Sequence, residues 1–176
     1  MNPVLGRYNL KYRASNKNRP QCEPQHEFFS GHGRFHCLST QTIIDNINNI
    51  RFLRSGFLGH GNDAQQYQLL PTIGDGQELH LPANLYLLAD SIYPNRTPLM
   101  TQFRQNEIND LDREGVSMFN LAHKRRRVTV EHVISWFKTY AVVKGTYRHE
   151  RWFFPVVAEV CAALAHRRLV VNRQMR

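Results

Sequence analysis

Asp90 and Glu131 are the two acidic residues whose placement could support chemistry. Asp90 ends the apolar run 85–89, and Tyr93-Pro94 turns the chain directly afterwards, which predicts a short buried strand with a carboxylate at its end. Glu131 lies in a segment whose apolar residues recur at helical spacing: Val130, Ile134, Phe137 and Ala141. Because Mg²⁺ takes hard oxygen ligands, a carboxylate at a strand end and another on a facing helix suit a phosphoryl-transfer site. We therefore predict that the two carboxylates converge at one edge of a sheet.

Each acid also has an ordinary structural interpretation. Asp90 could cap the turn that follows its strand. Glu131 could lie in the first turn of its helix and complement the helix dipole there. From these residues alone the ordinary interpretation of each acid is the stronger one.

Length and composition favour one folded domain. The 176 residues are 41% hydrophobic and 11% aromatic, and no apolar run approaches the roughly 20 residues of a membrane span. A signal-peptide pattern is absent at the N-terminus, and the three cysteines show no metal-ligand spacing. We expect a soluble protein of a reducing compartment, without a membrane partner.

Positive charge is concentrated in the last third of the chain. Residues 1–120 carry 11 Lys and Arg against 11 Asp and Glu, whereas residues 121–176 carry 12 against 3, so this part supplies the whole net charge of +9. The run Lys124, Arg125, Arg126 and Arg127 is its densest stretch. Such asymmetry is typical of nucleic-acid binding, and a solvated basic surface without a ligand is the equally weighted alternative.

The order of predicted elements is that of an α/β layered domain with a mixed sheet. We expect a β-hairpin of 35–44 and 50–57, a short helix of 64–70 capped by Asn62 or Asp63, and the strand that ends at Asp90. A charged helix around 107–114, a helix that starts near the basic run, and a closing helix from about 152 to 171 follow. The aromatic residues of these last segments are predicted to be core: Trp136, Phe137, Trp152, Phe153 and Phe154.

A series of short motifs runs in order along the chain. They are Asn-Arg-Pro at 18–20, Phe-Phe-Ser-Gly-His at 28–32, His-Cys at 36–37, Thr-Gln at 40–41, Ser-Gly-Phe-Leu-Gly-His at 55–60, Asn-Asp-Ala at 62–64, Leu-Ala-Asp at 88–90 with Tyr93, Phe-Asn at 119–120, Arg-Val-Thr-Val-Glu-His at 127–132, Tyr-Arg-His at 147–149 and Arg-Trp at 151–152. In these motifs the chain resembles the DDE superfamily endonuclease domain of Harbinger-type transposases and their domesticated nuclease relatives. The resemblance runs from about residue 18 to residue 170.

The resemblance implies a ribonuclease-H-like mixed sheet with flanking helices and a site for Mg²⁺ or Mn²⁺. Asp90 matches the family's second catalytic acid and Glu131 its third, and the family context reverses the odds against a metal-ligand role for both. Asp63 and His60 belong to the family's His-x-Asn-Asp pattern, which makes them candidates for supporting the site or supplying a third ligand. Counting back from the Asn-Arg-Pro run places the first acid near Lys11, and no acid precedes Glu23. We therefore expect 1–17 to be a divergent or truncated segment, with the opening strand missing or divergent, and 18–172 to be the nuclease-like domain.

This combination predicts a transposase-derived, divalent-metal-dependent endonuclease acting on DNA in the nucleus, impaired because the first acid is absent. The alternative is a catalytically inactive DNA- or protein-binding module. Lys124–Arg127 is predicted to contact DNA phosphates and to serve in nuclear import. Since no helix-turn-helix region is recognisable, a separate DNA-binding partner protein is also expected.

Overall fold

The structure, a computed structural model, describes residues 4–11, 25–70, 85–108 and 112–175. For residues 4–11 it describes the backbone. The strands and helices of this part of the chain are β1 Val4–Lys11, β2 Phe29–Ser30, β3 Phe35–Ile44, β4 Ile50–Leu58, α1 Asp63–Gln68, β5 Leu87–Leu88, β6 Leu99–Met100, α2 Arg113–Phe137, α3 Ala141–Lys144 and α4 Phe154–Gln174.

A mixed sheet forms the centre of the fold. Its spatial order runs from β4 through β3, β1 and β5 to β6, and β2 pairs with the start of β3. The first three strands of that order are antiparallel neighbours, whereas β1 and β5, and β5 and β6, run parallel. Helices complete the α/β arrangement that the element order predicts.

The predicted hairpin is confirmed as β3 and β4. Asp45 sits in the turn between them, where its side chain accepts hydrogen bonds from the backbone N–H groups of Ile47 and Asn49 at 3.0 and 2.8 Å. Asn48 has a φ of 63°, a left-handed conformation that Asn tolerates better than most residues. The Asp and Asn content of the segment therefore explains why the chain reverses at this point.

Two hydrophobic clusters lie on opposite faces of the sheet. Leu38, Ile44 and Leu88 join the buried side chains of α2 and α4 in one cluster, and Ile43 and Leu87 join the other. Since side chains alternate along a strand, odd and even residues of β3 contact different layers. The face that packs on α2 is the face on which Leu88 lies, two residues before Asp90.

The helix that carries Glu131 is longer than predicted. One continuous helix, α2, begins at Arg113, with Asp112 as its cap, and ends at Phe137. Glu131 therefore lies in its C-terminal half, and the interpretation that it complements the dipole of a first turn is wrong. We expected a helix to start near the basic run, but α2 continues through this run without a break. No glycine or proline interrupts 116–137.

The closing helix is confirmed as α4, but part of the aromatic prediction is wrong. Phe137 and Phe154 are buried, and Trp136 is half-buried. In contrast, Trp152 is 74% and Phe153 42% exposed, because both precede α4 in a short turn that packs only Phe154 inward.

Within the described ranges, no helix is long and apolar enough to span a membrane.

The opening strand is present as β1. It lies in the middle of the sheet, paired along its length with β3 and at Val4 with Leu88 of β5. The alternative that this strand is missing is therefore wrong. The motif Asn-Arg-Pro at 18–20, from which its position was counted, falls outside the described residues.

Candidate functional site

Asp90 lies where the sheet ends, as predicted. The N–H group of Ala89 donates to the carbonyl of Met100 at 3.0 Å, which is the last link to β6 before the chain turns. The N–H group of Ser91 then donates to Asp90 Oδ1 at 2.7 Å, and that of Tyr93 donates to the Asp90 carbonyl at 3.0 Å. This turn fixes one carboxylate oxygen of Asp90 and leaves Oδ2 to other partners, on a side chain that is half exposed.

Arg127 contacts both predicted acids. Its Nη2 donates to Glu131 Oε1 at 3.0 Å, one helical turn away, and its Nη1 lies 3.9 Å from Asp90 Oδ2. Because the two terminal nitrogens of a guanidinium are about 2.3 Å apart, these contacts keep the two carboxylate oxygens within about 9 Å of each other. The structure thus brings Asp90 and Glu131 to one place, with a guanidinium between them.

Asp63 and His60 border the same region. Together with Asp90 they line an open cleft of about 560 Å³ whose other walls are Ser30, Gly31, His32, Gly59, Gly61, Asn62 and Ile92. The N-cap of α1 is Asn62, whose side chain accepts from Gln65 N–H at 2.8 Å, so the capping role considered for Asp63 belongs to its neighbour. Asp63 and Asp90 thus line one cleft.

His60 is held by the short helical turn 25–28 that precedes β2. Its backbone N–H group donates to the Glu27 carbonyl at 3.0 Å, and its ring Nδ1 lies 2.8 Å from the same oxygen. A carbonyl only accepts, so Nδ1 is the donor of this hydrogen bond. The bond positions the ring of His60 at the wall of the cleft.

The basic run lies on α2, but its four residues point in different directions. At about 100° per residue, Lys124 lies on the same side as Glu131, whereas Arg125 lies on the side opposite Arg127. Lys124, Arg125 and Arg126 are exposed. The sequence analysis did not predict the contact between Arg127 and Asp90. The pairing of Arg127 with Glu131 could have been predicted, because the two residues are four positions apart on one helix.

A family model described as DDE superfamily endonuclease matches residues 15–166. The chain belongs to this family. The match begins after β1 ends and includes both Asp90 and Glu131. No curated protein and no solved structure matches the chain.

Members of the DDE endonuclease family generally use divalent metal ions, so this site can be tested for such a role. Among the described residues, no three His, Cys, Asp or Glu side chains are grouped to hold an ion. Strand β1 pairs with β5 at Val4 and Leu88, two residues before Asp90. No Asp or Glu occurs in β1, and Arg127 places a positive charge between the two acids. As arranged, these residues fit a guanidinium better than a divalent ion.

The register of β1 bears on the expected position of the first acid near Lys11. Lys11 pairs with Cys37, seven residues beyond Val4 along β1. At about 3.3 Å per residue, Lys11 lies about 23 Å along the strand from the pair of Val4 with Leu88. Lys11 therefore lies far from the end of β5.

Proposed function

We propose that this chain is a Harbinger-type, transposase-derived DDE endonuclease domain that binds DNA and has little or no phosphodiester hydrolase activity of its own. The observation that carries the proposal is the incomplete acid set: Asp90 and Glu131 both contact Arg127, and β1, the strand that pairs with the strand before Asp90, contains no Asp or Glu. Carboxylates both bind and neutralise a catalytic ion, so losing one of three weakens geometry and electrostatics together.

The sheet order supports a ribonuclease-H-like arrangement for this domain. An antiparallel set of β4, β3 and β1 continues into the parallel strands β5 and β6, with Asp90 after the strand next to β1. Helix α2 packs on the same face and brings Glu131 to that strand end. We infer that the scaffold that positions the two acids is retained, whereas β1 lacks an acid.

DNA is the proposed partner because the basic third of the chain carries net charge +9 and exposes Lys124, Arg125 and Arg126 on α2. Phosphate contacts of this kind provide affinity without sequence information. A separate protein that reads bases would complete target choice, and the same basic run fits a nuclear-import signal. A nuclear location follows from these proposals.

A plasmid assay tests the loss of hydrolysis. The unmodified protein should not nick supercoiled plasmid in Mg²⁺ or Mn²⁺, whereas Gly6→Asp should introduce metal-dependent nicking that disappears with Asp90→Ala or Glu131→Ala. Position 6 lies two residues beyond Val4, which pairs with Leu88. Asn9→Asp is the matched control, because it adds the same charge to β1 farther along the strand from that pair.

A second candidate function, an active endonuclease with a different third acid, rests on Asp63. Asp63 lines the cleft that contains Asp90. If the unmodified chain cuts plasmid and Asp63→Ala abolishes cutting as completely as Asp90→Ala, this second function is correct and the impaired one is wrong.

DNA binding is tested by its salt dependence. Affinity for random duplex should fall steeply between 50 and 200 mM salt, since each phosphate contact contributes about one unit to the slope of log K against log salt. The pair Arg125→Glu and Arg126→Glu should weaken binding and flatten that slope. Arg54→Glu with Arg96→Glu changes the net charge equally at exposed positions outside α2 and should have a smaller effect. Equal losses in both variants would contradict a DNA-binding role for α2.

A further inference from the structure

We propose that Arg127 is a built-in counter-ion of this site, and that it competes with divalent cations for Asp90 and Glu131. The inference rests on the proposed role of these two acids, and it adds a determinant of metal affinity that the missing third carboxylate does not explain. It concerns the chain's own cation rather than any bound ion.

The guanidinium of Arg127 contacts both Asp90 and Glu131 at once. A single guanidinium reaches Glu131 Oε1 at 3.0 Å with one terminal nitrogen and lies 3.9 Å from Asp90 Oδ2 with the other. Its side chain is 28% exposed, whereas those of Asp90 and Glu131 are 50% and 55% exposed. Arg127 is therefore the least exposed side chain of the three.

Local structure holds each member of the cluster in place. Arg127 and Glu131 are four residues apart on one helix, a spacing that aligns opposite charges on one side. Helix α2 is fixed against the sheet by Val130 and Ile134, which are buried next to these residues. Ser91 N–H holds Asp90 Oδ1 at 2.7 Å, which turns Oδ2 toward Arg127. The three charges thus meet because of the fold and not through one flexible side chain.

This arrangement opposes a divalent ion in two ways. An ion would have to displace the guanidinium from both carboxylates, and a positive charge within about 4 Å would repel it. Exposed and half-exposed ion pairs are individually weak, so the competition should be measurable but modest. We expect removal of the guanidinium to increase divalent-ion affinity by about threefold to thirtyfold.

The test measures Mn²⁺ binding directly, through the decrease of the free-ion electron paramagnetic resonance signal at low ionic strength. Four proteins are compared: the unmodified chain, Arg127→Gln, Arg127→Lys and Arg125→Gln. Arg127→Gln should bind Mn²⁺ most tightly. Arg127→Lys keeps the charge but cannot reach both carboxylates with two nitrogens, so it should be intermediate. Arg125→Gln removes the same charge from the opposite side of α2 and should stay close to the unmodified chain.

A further variant locates the effect. Adding Glu131→Gln to Arg127→Gln should abolish the gain in Mn²⁺ affinity, because the ion then loses one of the two carboxylates that the guanidinium had occupied. Circular dichroism and thermal melting verify that each variant is folded, and Arg127→Lys decides the question if Arg127→Gln is not.

The competition is wrong if Arg127→Gln gains no more affinity than Arg125→Gln, or if Arg127→Lys binds Mn²⁺ no better than the unmodified chain. Mn²⁺ binding is measured independently of plasmid nicking and of duplex binding. Failure of the competition proposal can therefore be distinguished from failure of the proposed function. Conversely, a gain of Mn²⁺ affinity in Arg127→Gln without DNA binding by any variant supports the competition while contradicting the proposed function.

Discussion

The polar residues of the β3–β4 hairpin and the charged residues around Asp90 are stabilised in opposite ways. In the hairpin, Ser39 Oγ donates to Gln66 Oε1 at 2.8 Å, and Thr40 and Ser55 share a 2.7 Å hydrogen bond, all within the buried interior. Around Asp90, charged groups meet at 3.0 and 3.9 Å while still half exposed to solvent. Buried polar groups must be paired because desolvation is costly, whereas exposed charges remain available to a ligand. The comparison therefore separates polar residues that maintain the fold from those that can exchange partners.

The largest effect is expected for Gln66, which joins α1 to the hairpin. Its Nε2 donates to the carbonyls of Leu58 and Gly61 at 2.9 and 3.1 Å, and its Oε1 accepts from Ser39. Gln66→Leu keeps similar volume but removes these three hydrogen bonds, and only the Leu58 carbonyl of the three partners retains another one in the same turn, from the N–H group of Gly61. The free energy of unfolding should therefore fall by about 2–4 kcal/mol. Urea denaturation with constant m-value measures the loss.

Gln68→Leu is the matched control, since Gln68 is exposed on the same helix. It should change the free energy of unfolding by no more than about 0.5 kcal/mol. Equal effects of the two substitutions would contradict the interpretation that the hydrogen bonds of Gln66, and not the helix itself, hold α1 on the sheet.

The next largest effect on stability is expected for Asp45, whose exposure is intermediate between those of the buried hairpin residues and the charged residues around Asp90. Burial raises the pKa of Asp45, but hydrogen bonds from the backbone of Asn49 and Ile47, the side chain of Asn49 and Arg51 outweigh it, so the net pKa is lowered. A carboxyl group with a lowered folded-state pKa stabilises the fold above its unfolded-state pKa of about 3.9. That stabilisation is lost as the pH falls below about 4 and through the folded-state pKa.

Asp45→Asn should therefore destabilise the protein by about 1 kcal/mol at pH 7, because Asn retains acceptors for the turn but loses its charge for Arg51. The difference in unfolding free energy between the variant and the unmodified chain should shrink as the pH falls below 4. Glu159→Gln, an exposed substitution on α4, controls for net charge. A pH-independent difference would show that the charge of Asp45 does not contribute.

Local signals in the sequence were sufficient for several elements. The Asp and Asn residues of 45–49 predicted the hairpin turn, Asn62 or Asp63 the start of α1, and the apolar run before Asp90 a strand end. Each of these depends on neighbouring residues, whose backbone preferences act over a few positions. Glu131 was placed on a helix for the same reason, since its apolar neighbours follow helical periodicity.

Features that depend on contacts between distant parts of the chain could not be predicted from local sequence signals. The pairing of Val4 with Leu88, which places β1 beside the strand that precedes Asp90, is set by sheet register across more than 80 residues. The exposure of Trp152 depends on where the turn before α4 points, not on the apolar character of the side chain. Arg127 could be paired with Glu131 from spacing alone, but its contact with Asp90 required the fold.

The smallest effect on stability is expected at Arg127, and its size sharpens the comparison with Gln66. Two ion pairs with half-exposed carboxylates contribute little to folding, so Arg127→Gln should reduce the free energy of unfolding by less than about 1 kcal/mol at low salt. At 1 M salt the Debye length falls to about 3 Å, and the difference from the unmodified chain should nearly vanish. Urea denaturation at both salt concentrations measures it, and a double-mutant cycle with Glu131→Gln isolates the direct pair, expected near 0.3–0.5 kcal/mol.

A loss above about 2 kcal/mol that persists in high salt would place Arg127 with Gln66, as a residue required by the fold. The counter-ion proposal would then lose its physical basis, because a guanidinium held that strongly could not exchange with a divalent ion at accessible concentrations. A small, salt-sensitive loss together with increased Mn²⁺ affinity has the opposite meaning. It shows that Asp90 and Glu131 are positioned by the strand end and by α2 themselves, so that Arg127 determines which cation they hold without determining where they lie.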